Sequence, residues 1–123
     1  MVFLGLVITG VSGAAIAVIG LLYLLAPRTA ASWFGLPVMP PPEATPWLRV
    51  KGVRDLACGV VAAVMLLTVS HHAIGWLLLA FALIPLGDAV IVVRSRGSIA
   101  RALGVHVVTA AFMIAGTLLL IGA

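Results

Sequence analysis

The sequence predicts an all-α integral membrane protein, folded as an antiparallel bundle of four helices. Of its 123 residues, 64% are hydrophobic and 8% are charged, whereas a soluble globular domain has about 25% charged residues. Four apolar stretches, near residues 2–26, 47–69, 73–93 and 99–121, each approach the roughly 20 residues that cross a bilayer. We therefore expect a single transmembrane domain over residues 1–123, in contact with membrane lipid.

The first stretch is expected to be a retained helix and not a signal peptide, because it has no Lys or Arg before its long apolar run. Its small residues recur at offsets of three and four and share one stripe of the helix; they are Gly10, Gly13, Ala17 and Gly20. Such a stripe allows a second helix to approach closely. It predicts a packing face, either within the bundle or in a homodimer.

Residues 27–46 form a proline-rich connection with six of the seven prolines. Pro27 ends the first helix, since it lacks the backbone donor that would continue it. Trp33 lies in a compact aromatic segment, residues 32–37, which we expect either to anchor in the headgroup layer or to cover the bundle as a lid. Tyr23, one turn before the helix end, is expected to anchor at the interface or to line a pocket.

The second helix is predicted to begin near Pro46, since proline is tolerated in a first turn. It opens at Trp47 and carries Lys51, Arg54 and Asp55 at the mouth of an apolar run. Charges at this depth are costly in a bilayer and call for a partner or a function. Lys51 lies four residues before Asp55 and can reach it. Arg54 points about 100° away from Asp55 and is expected to extend towards the interface or another helix.

The third and fourth stretches each contain a polar residue on an otherwise apolar helix. Asp88 follows three residues after Pro85, which removes a backbone hydrogen bond and can kink the helix. His106 shares a helical face with Thr109. Asp88, His106 and Thr109 are therefore candidate site residues, together with Asp55.

Basic residues concentrate in the first and third connections and the helix starts beside them. The positive-inside rule places both connections in the cytoplasm and both termini outside. At about 1.5 Å per residue, Asp55 then lies roughly 10–13 Å inside its helix, Asp88 roughly 7–9 Å and His106 roughly 7–10 Å. We expect one polar cluster in the cytoplasmic half of the bundle.

The net charge of +4 does not indicate a nucleic-acid partner, because the basic residues follow the membrane topology. Cys58 is the single cysteine, so neither an internal disulfide nor a cysteine metal cluster can form. Adjacent His71 and His72 have poor spacing for a helical metal site. The sequence predicts no metal and no cofactor.

Several short motifs together resemble a known family; they are Pro27, Phe34-Gly35-Leu36-Pro37, the stretch Lys51 to Gly59, Pro85-Leu86-Gly87-Asp88-Ala89 and His106. The chain is similar along nearly its whole length to small four-helix bacterial membrane proteins defined by a domain of unknown function (DUF4267-like) and grouped with DoxX-like proteins. The resemblance implies a four-helix bundle with an unassigned activity. DoxX-like relatives are associated with redox or quinone-linked membrane systems, but this chain has no cysteine pair and no haem or iron ligand set.

Three functions fit these residues. The first is an acid–base enzyme, such as an isomerase, cyclase or ring-opening enzyme, acting on a lipophilic molecule. Its catalytic residues are Asp88 as acid, Asp55 as ionised partner and His106 as base or relay; its binding residues are Lys51, Arg54, Tyr23, Trp33, Trp47 and Thr109. The second is a scaffold with a structural polar network. The third is a transporter of a lipophilic or proton-coupled cargo, although the first span lacks the acid on which small multidrug transporters depend.

Overall fold

The computed structural model describes residues 1–123 and contains helices and no strands, which confirms the predicted all-α class. Its helices are α1 (Val2–Leu25), α2 (Pro27–Ser32), α3 (Thr45–Thr68), α4 (His71–Arg94) and α5 (Ile99–Ile121), with a 3₁₀ turn at Pro42–Ala44 before α3. Each long helix begins and ends within two residues of its predicted stretch.

Three of these helices, α1, α4 and α5, are long and apolar enough to cross a membrane. The fourth long helix, α3, is 24 residues long, the same length as α1. It differs in composition, because Lys51, Arg54 and Asp55 lie near the middle of its first half. The chain thus has the helices of an integral membrane protein, with the charges concentrated in one of them.

Prolines and serines determine where the helices start. Pro27 does end α1, but it also occupies the first turn of the short helix α2, where its missing N–H costs nothing. Pro46 occupies the same kind of position in α3. The side chains of Ser70 and Ser98 accept hydrogen bonds from backbone N–H groups in the first turns of α4 and α5.

The small-residue stripe of α1 packs against a matching stripe on α3. A Cβ atom added to Gly20 would lie 2.5 Å from the Leu56 nitrogen and 2.7 Å from the Gly52 oxygen. Gly13 faces Ala62 in the same way, at 2.8 Å from its Cβ. The small-residue stripe of α1 is therefore already in contact with α3 of the same chain, and a homodimer would have to use another surface.

Helix α5 packs against α4 and against the beginning of α1. A Cβ on Gly116 would lie 2.6 Å from Ile8 of α1 and 2.7 Å from Leu78 of α4. A Cβ on Gly5 would lie 2.6 Å from Leu120. These contacts join the first half of α1 to the last half of α5, around buried Ile8 and Leu78.

The bundle thus consists of two tightly packed pairs, α1 with α3 and α4 with α5. Helix α3 has few contacts with α4, and the close contacts between α1 and α5 lie at one end. Space therefore remains between the pairs towards the end of α1 and the beginning of α5. The candidate site lies in this space.

Candidate functional site

A largely apolar cavity of about 440 Å³ lies between the two helix pairs. This volume falls within the ~300–1,000 Å³ of typical small-molecule sites. Helices α1, α4 and α5 supply most of its hydrophobic walls, and α3 supplies Lys51, Asp55 and Ala62. Most of the polar lining residues gather where α1 ends and α5 begins, so the cavity has one strongly polar end and a mainly apolar remainder, in which Thr9 and Ser12 are the polar lining residues.

Asp55, Asp88 and His106, which come from three different helices, all line this cavity. The depth argument from the sequence predicted that these three would meet. Asp55 is 6% exposed and His106 is 7% exposed. Burial of two ionisable side chains in an apolar bundle is costly unless each has a partner.

Lys51 is the partner of Asp55, as the spacing of four residues predicted. Its Nζ lies 2.5 Å from Asp55 Oδ2. The same Nζ lies 4.5 Å from the centre of the Tyr23 ring and 5.6 Å from that of Phe34. Two aromatic faces and one carboxylate therefore hold the ammonium group at the polar end of the cavity.

Tyr23 is 3% exposed and lines the cavity. Of its two predicted roles, the structure places it in the pocket and not at the surface as an interfacial anchor. The reason is the close α1–α3 contact, because a Cβ on Gly52 would lie 3.0 Å from the Tyr23 Cβ. The tyrosine ring is thus directed between the helices.

His106 lies in a π-helical segment of α5, Ala102–Val107. Single π-helical turns inside α-helices occur frequently at functional sites. Its Nε2 lies 2.9 Å from the carbonyl oxygen of Phe34. A carbonyl only accepts hydrogen bonds, so this contact assigns a proton to Nε2 and, in the neutral ring, leaves Nδ1 as the acceptor.

Nδ1 of His106 faces Asp88, with 4.0 Å between Nδ1 and Oδ2. That distance is too long for a hydrogen bond. One oxygen atom displaced about 2 Å to the side of the line that joins them would lie about 2.8 Å from each, within the ordinary range of hydrogen-bond distances. The pair can therefore hold a proton donor and a proton acceptor on one substrate group.

Residues 33–35 lie over the polar end, where their three consecutive carbonyl groups accept hydrogen bonds. Arg101 Nη1 donates to Trp33 O at 2.5 Å, His106 donates to Phe34 O, and Ser98 N donates to Gly35 O at 2.8 Å. Gly35 has a φ of 108°, a conformation that L side chains rarely adopt. The segment therefore lies over the polar end of the cavity and is held against the beginning of α5.

Two predicted binding residues lie outside the site. Arg54 is exposed and does not line the cavity, because its direction on α3 is about 100° from that of Asp55. Trp47 is 76% exposed and also lies outside the cavity. It precedes Asp55 by eight residues, or about 12 Å along a helix. The structure thus brings neither residue to the cavity.

Trp33 and Thr109 both line the cavity. Trp33 lies at its edge, since 53% of it is exposed. The Thr109 hydroxyl donates to Val105 O at 2.6 Å, so its hydrogen is already used. The sequence analysis did not identify Phe34 as a site residue. The only sequence feature that pointed to Phe34 was the aromatic segment 32–37, and no local pattern reveals that this segment contacts α5.

Residues 13–120 match a family model described as Domain of unknown function (DUF4267). No curated protein matches the chain. No solved structure matches it either.

Proposed function

The chain belongs to the DUF4267 family, and we propose that it is an integral membrane enzyme acting on a lipophilic small molecule. The chemistry is cofactor-independent acid–base catalysis, such as isomerisation, cyclisation or ring opening. One observation carries the proposal: the Asp88 carboxyl group and the Nδ1 acceptor of His106 face each other 4.0 Å apart in a mainly apolar cavity.

In this mechanism Asp88 donates a proton to the reacting group and His106 Nδ1 accepts one. In this role Asp88 acts as a neutral carboxylic acid, and neither a lysine nor an arginine is bonded to it. Nε2 remains bonded to Phe34 O and keeps the ring in the tautomer that presents Nδ1. Positioned proton transfer of this kind contributes about 10²–10⁴-fold to a rate.

Asp55 and Lys51 have a supporting part. Asp55 is paired with Lys51, whose Nζ is bonded to its Oδ2. Lys51 also lines the cavity, so its charge stabilises negative charge that develops on the substrate. Tyr23 and Phe34 limit the movement of the ammonium group by covering it.

We further propose that α3 is the fourth membrane span of an antiparallel bundle. Its length equals that of α1, and it packs against α1 through the glycine stripes. Its buried charge, Asp55, is paired, which lowers the cost of placing it in the bilayer. The basic connections then lie in the cytoplasm of a bacterial cell and both termini outside.

Mass spectrometry of compounds that co-purify with the protein tests the site. We expect one defined non-phospholipid compound with the wild type, and its loss from Asp55→Asn and Asp88→Asn variants that still fold. Glu43→Gln is the matched control, since Glu43 is the only other acid in the chain and is exposed in the connection. Bulk lipid alone in all four samples would contradict the proposal.

The second candidate is a scaffold in which the same residues form a structural network. The His106–Phe34 bond favours it, because it ties the connection before α3 to α5, and the Lys51–Asp55 bond pairs the buried charge of α3. A scaffold predicts that Asp88→Asn and Asp55→Asn lose folding or assembly, whereas the enzyme predicts a folded Asp88→Asn without turnover. A transporter would require flux in proteoliposomes that depends on a pH gradient.

A further inference from the structure

The cavity wall is incomplete on one side, between α1 and α5. The cavity-lining residues that are also exposed belong almost entirely to these two helices; they are Val11, Ala15 and Ile19 on α1 and Val105, Val108, Thr109 and Phe112 on α5. The lining residues of α3 and α4 are buried or half-buried. The opening therefore faces sideways, where a bilayer would surround an apolar bundle.

The packing contacts explain this opening. Helices α1 and α5 meet closely where Gly5 faces Leu120 and Gly116 faces Ile8. No glycine contact joins the end of α1 to the beginning of α5, and the cavity occupies that region. The two helices thus hold together at one end and leave a gap at the other.

The other route to the polar end is covered. Residues 33–35 lie over it and are held to α5 by hydrogen bonds to Ser98, Arg101 and His106. The Phe34 ring stacks at 4.7 Å from the His106 ring. Entry from water would require these contacts to break, whereas the rim of the side opening is apolar apart from the Thr109 hydroxyl, which is already bonded to Val105 O.

The charged residues at the polar end of the cavity determine which charge the polar head group of a ligand can have. Lys51 is the only cation among the lysines and arginines that lines the cavity, and it is already bonded to Asp55. Asp88 adds a further carboxyl group. A carboxylate or phosphate head would find no unpaired lysine or arginine and would face two acids, which is costly in an apolar site.

We propose that the ligand is a neutral, membrane-dissolved lipophile with a hydroxyl or ketone head, which enters sideways from the bilayer between α1 and α5. Its head reaches Asp88 and His106, and its apolar part lies along α1 and α4. This inference rests on the proposed function for the role of the polar end, but binding and side entry can be measured without turnover.

The test uses a long-chain primary alcohol that carries a photoreactive diazirine, added to the full-length protein in phosphatidylcholine vesicles. We expect adducts on Phe81, which lies inside the cavity. Ala15→Trp, on the rim of the opening, is expected to lower this labelling about tenfold. Ala14→Trp is the matched control, because Ala14 is exposed on the same helix but does not line the cavity. On the opposite rim, Val108→Trp paired with Val107→Trp repeats the comparison if Ala15→Trp does not fold.

Equal labelling in the rim variants and their controls would overturn side entry. Equal labelling by the corresponding fatty acid would overturn the neutral head, since we expect the acid to label about tenfold less. Absence of adducts at Phe81 in the wild type would overturn the ligand class altogether. If labelling follows the prediction but no compound is converted, the proposed catalysis fails while the binding inference stands.

Discussion

Gly20→Ala should destabilise the bundle although alanine is the better helix former. The added Cβ would lie 2.5 Å from Leu56 N and 2.7 Å from Gly52 O. Both are backbone atoms that cannot rotate away, so α1 and α3 must move apart. Overpacking of this kind costs about 1–3 kcal/mol, whereas glycine to alanine in a helix gains about 1 kcal/mol. Because the clash is severe, we expect a net loss of about 1–2 kcal/mol.

Gly10→Ala is the matched control on the same helix and the same stripe. Its Cβ would meet only the Leu66 Cδ1 atom, at 3.9 Å, which is an ordinary contact. The helix propensity of alanine should therefore dominate there and leave the free energy of unfolding unchanged or higher by up to about 1 kcal/mol.

Unfolding in mixed micelles with increasing dodecyl sulfate, followed by far-ultraviolet circular dichroism, measures both variants. We expect Gly20→Ala to unfold at a lower detergent fraction than the wild type, and Gly10→Ala to unfold at the same or a higher fraction. If the two variants are equally stable, α1 and α3 do not approach as closely as described, and the position of Lys51 and Asp55 beside Tyr23 loses its structural basis.

Two further pairs of variants test the polar end. Lys51→Met should remove the co-purifying compound and lower the free energy of unfolding by about 1–2 kcal/mol, which is less than the ~3–5 kcal/mol of a fully buried pair because the Lys51 side chain is 31% exposed. Arg54→Met should change neither the bound compound, measured by mass spectrometry, nor the free energy of unfolding, measured in detergent. Equal losses in the two variants would contradict the role of Lys51. His106→Ala should remove the hydrogen bond to Phe34 O, and the loss of a bond of about 1 kcal/mol should speed hydrogen exchange in residues 33–36 roughly five-fold. His72→Ala, at an exposed position, should leave this exchange unchanged. Unchanged exchange in both variants would mean that His106 does not hold residues 33–35 in place.

Local patterns predicted much of the helical framework and part of the site. Apolar length predicted the four long helices, and the offset of four predicted that Lys51 bonds Asp55. Equal depth in three helices predicted that Asp55, Asp88 and His106 meet. Each of these follows from helix geometry alone, together with the cost of polar groups in apolar surroundings.

The remaining features depend on contacts between distant parts of the chain. Phe34 and His106 are 72 residues apart, and no spacing rule relates them. The π-helical segment, which carries His106, has no signal in the hydrophobic pattern. Arg54 and Trp47 were assigned to the site because they are close to Asp55 in sequence, but the direction of a side chain on its helix decides where it lies.

Deuterium incorporation tests acid–base catalysis most directly. The purified compound would be incubated in D₂O with the wild type, Asp88→Asn or Glu43→Gln, each equilibrated in D₂O, and its mass measured after exchangeable hydrogens are washed back. We expect deuterium at a carbon position with the wild type and Glu43→Gln, and a rate about 10²–10⁴-fold lower with Asp88→Asn. Incorporation no faster than without protein would contradict proton transfer at carbon, and incorporation equally fast with folded Asp88→Asn would contradict the assignment of Asp88 as the proton donor.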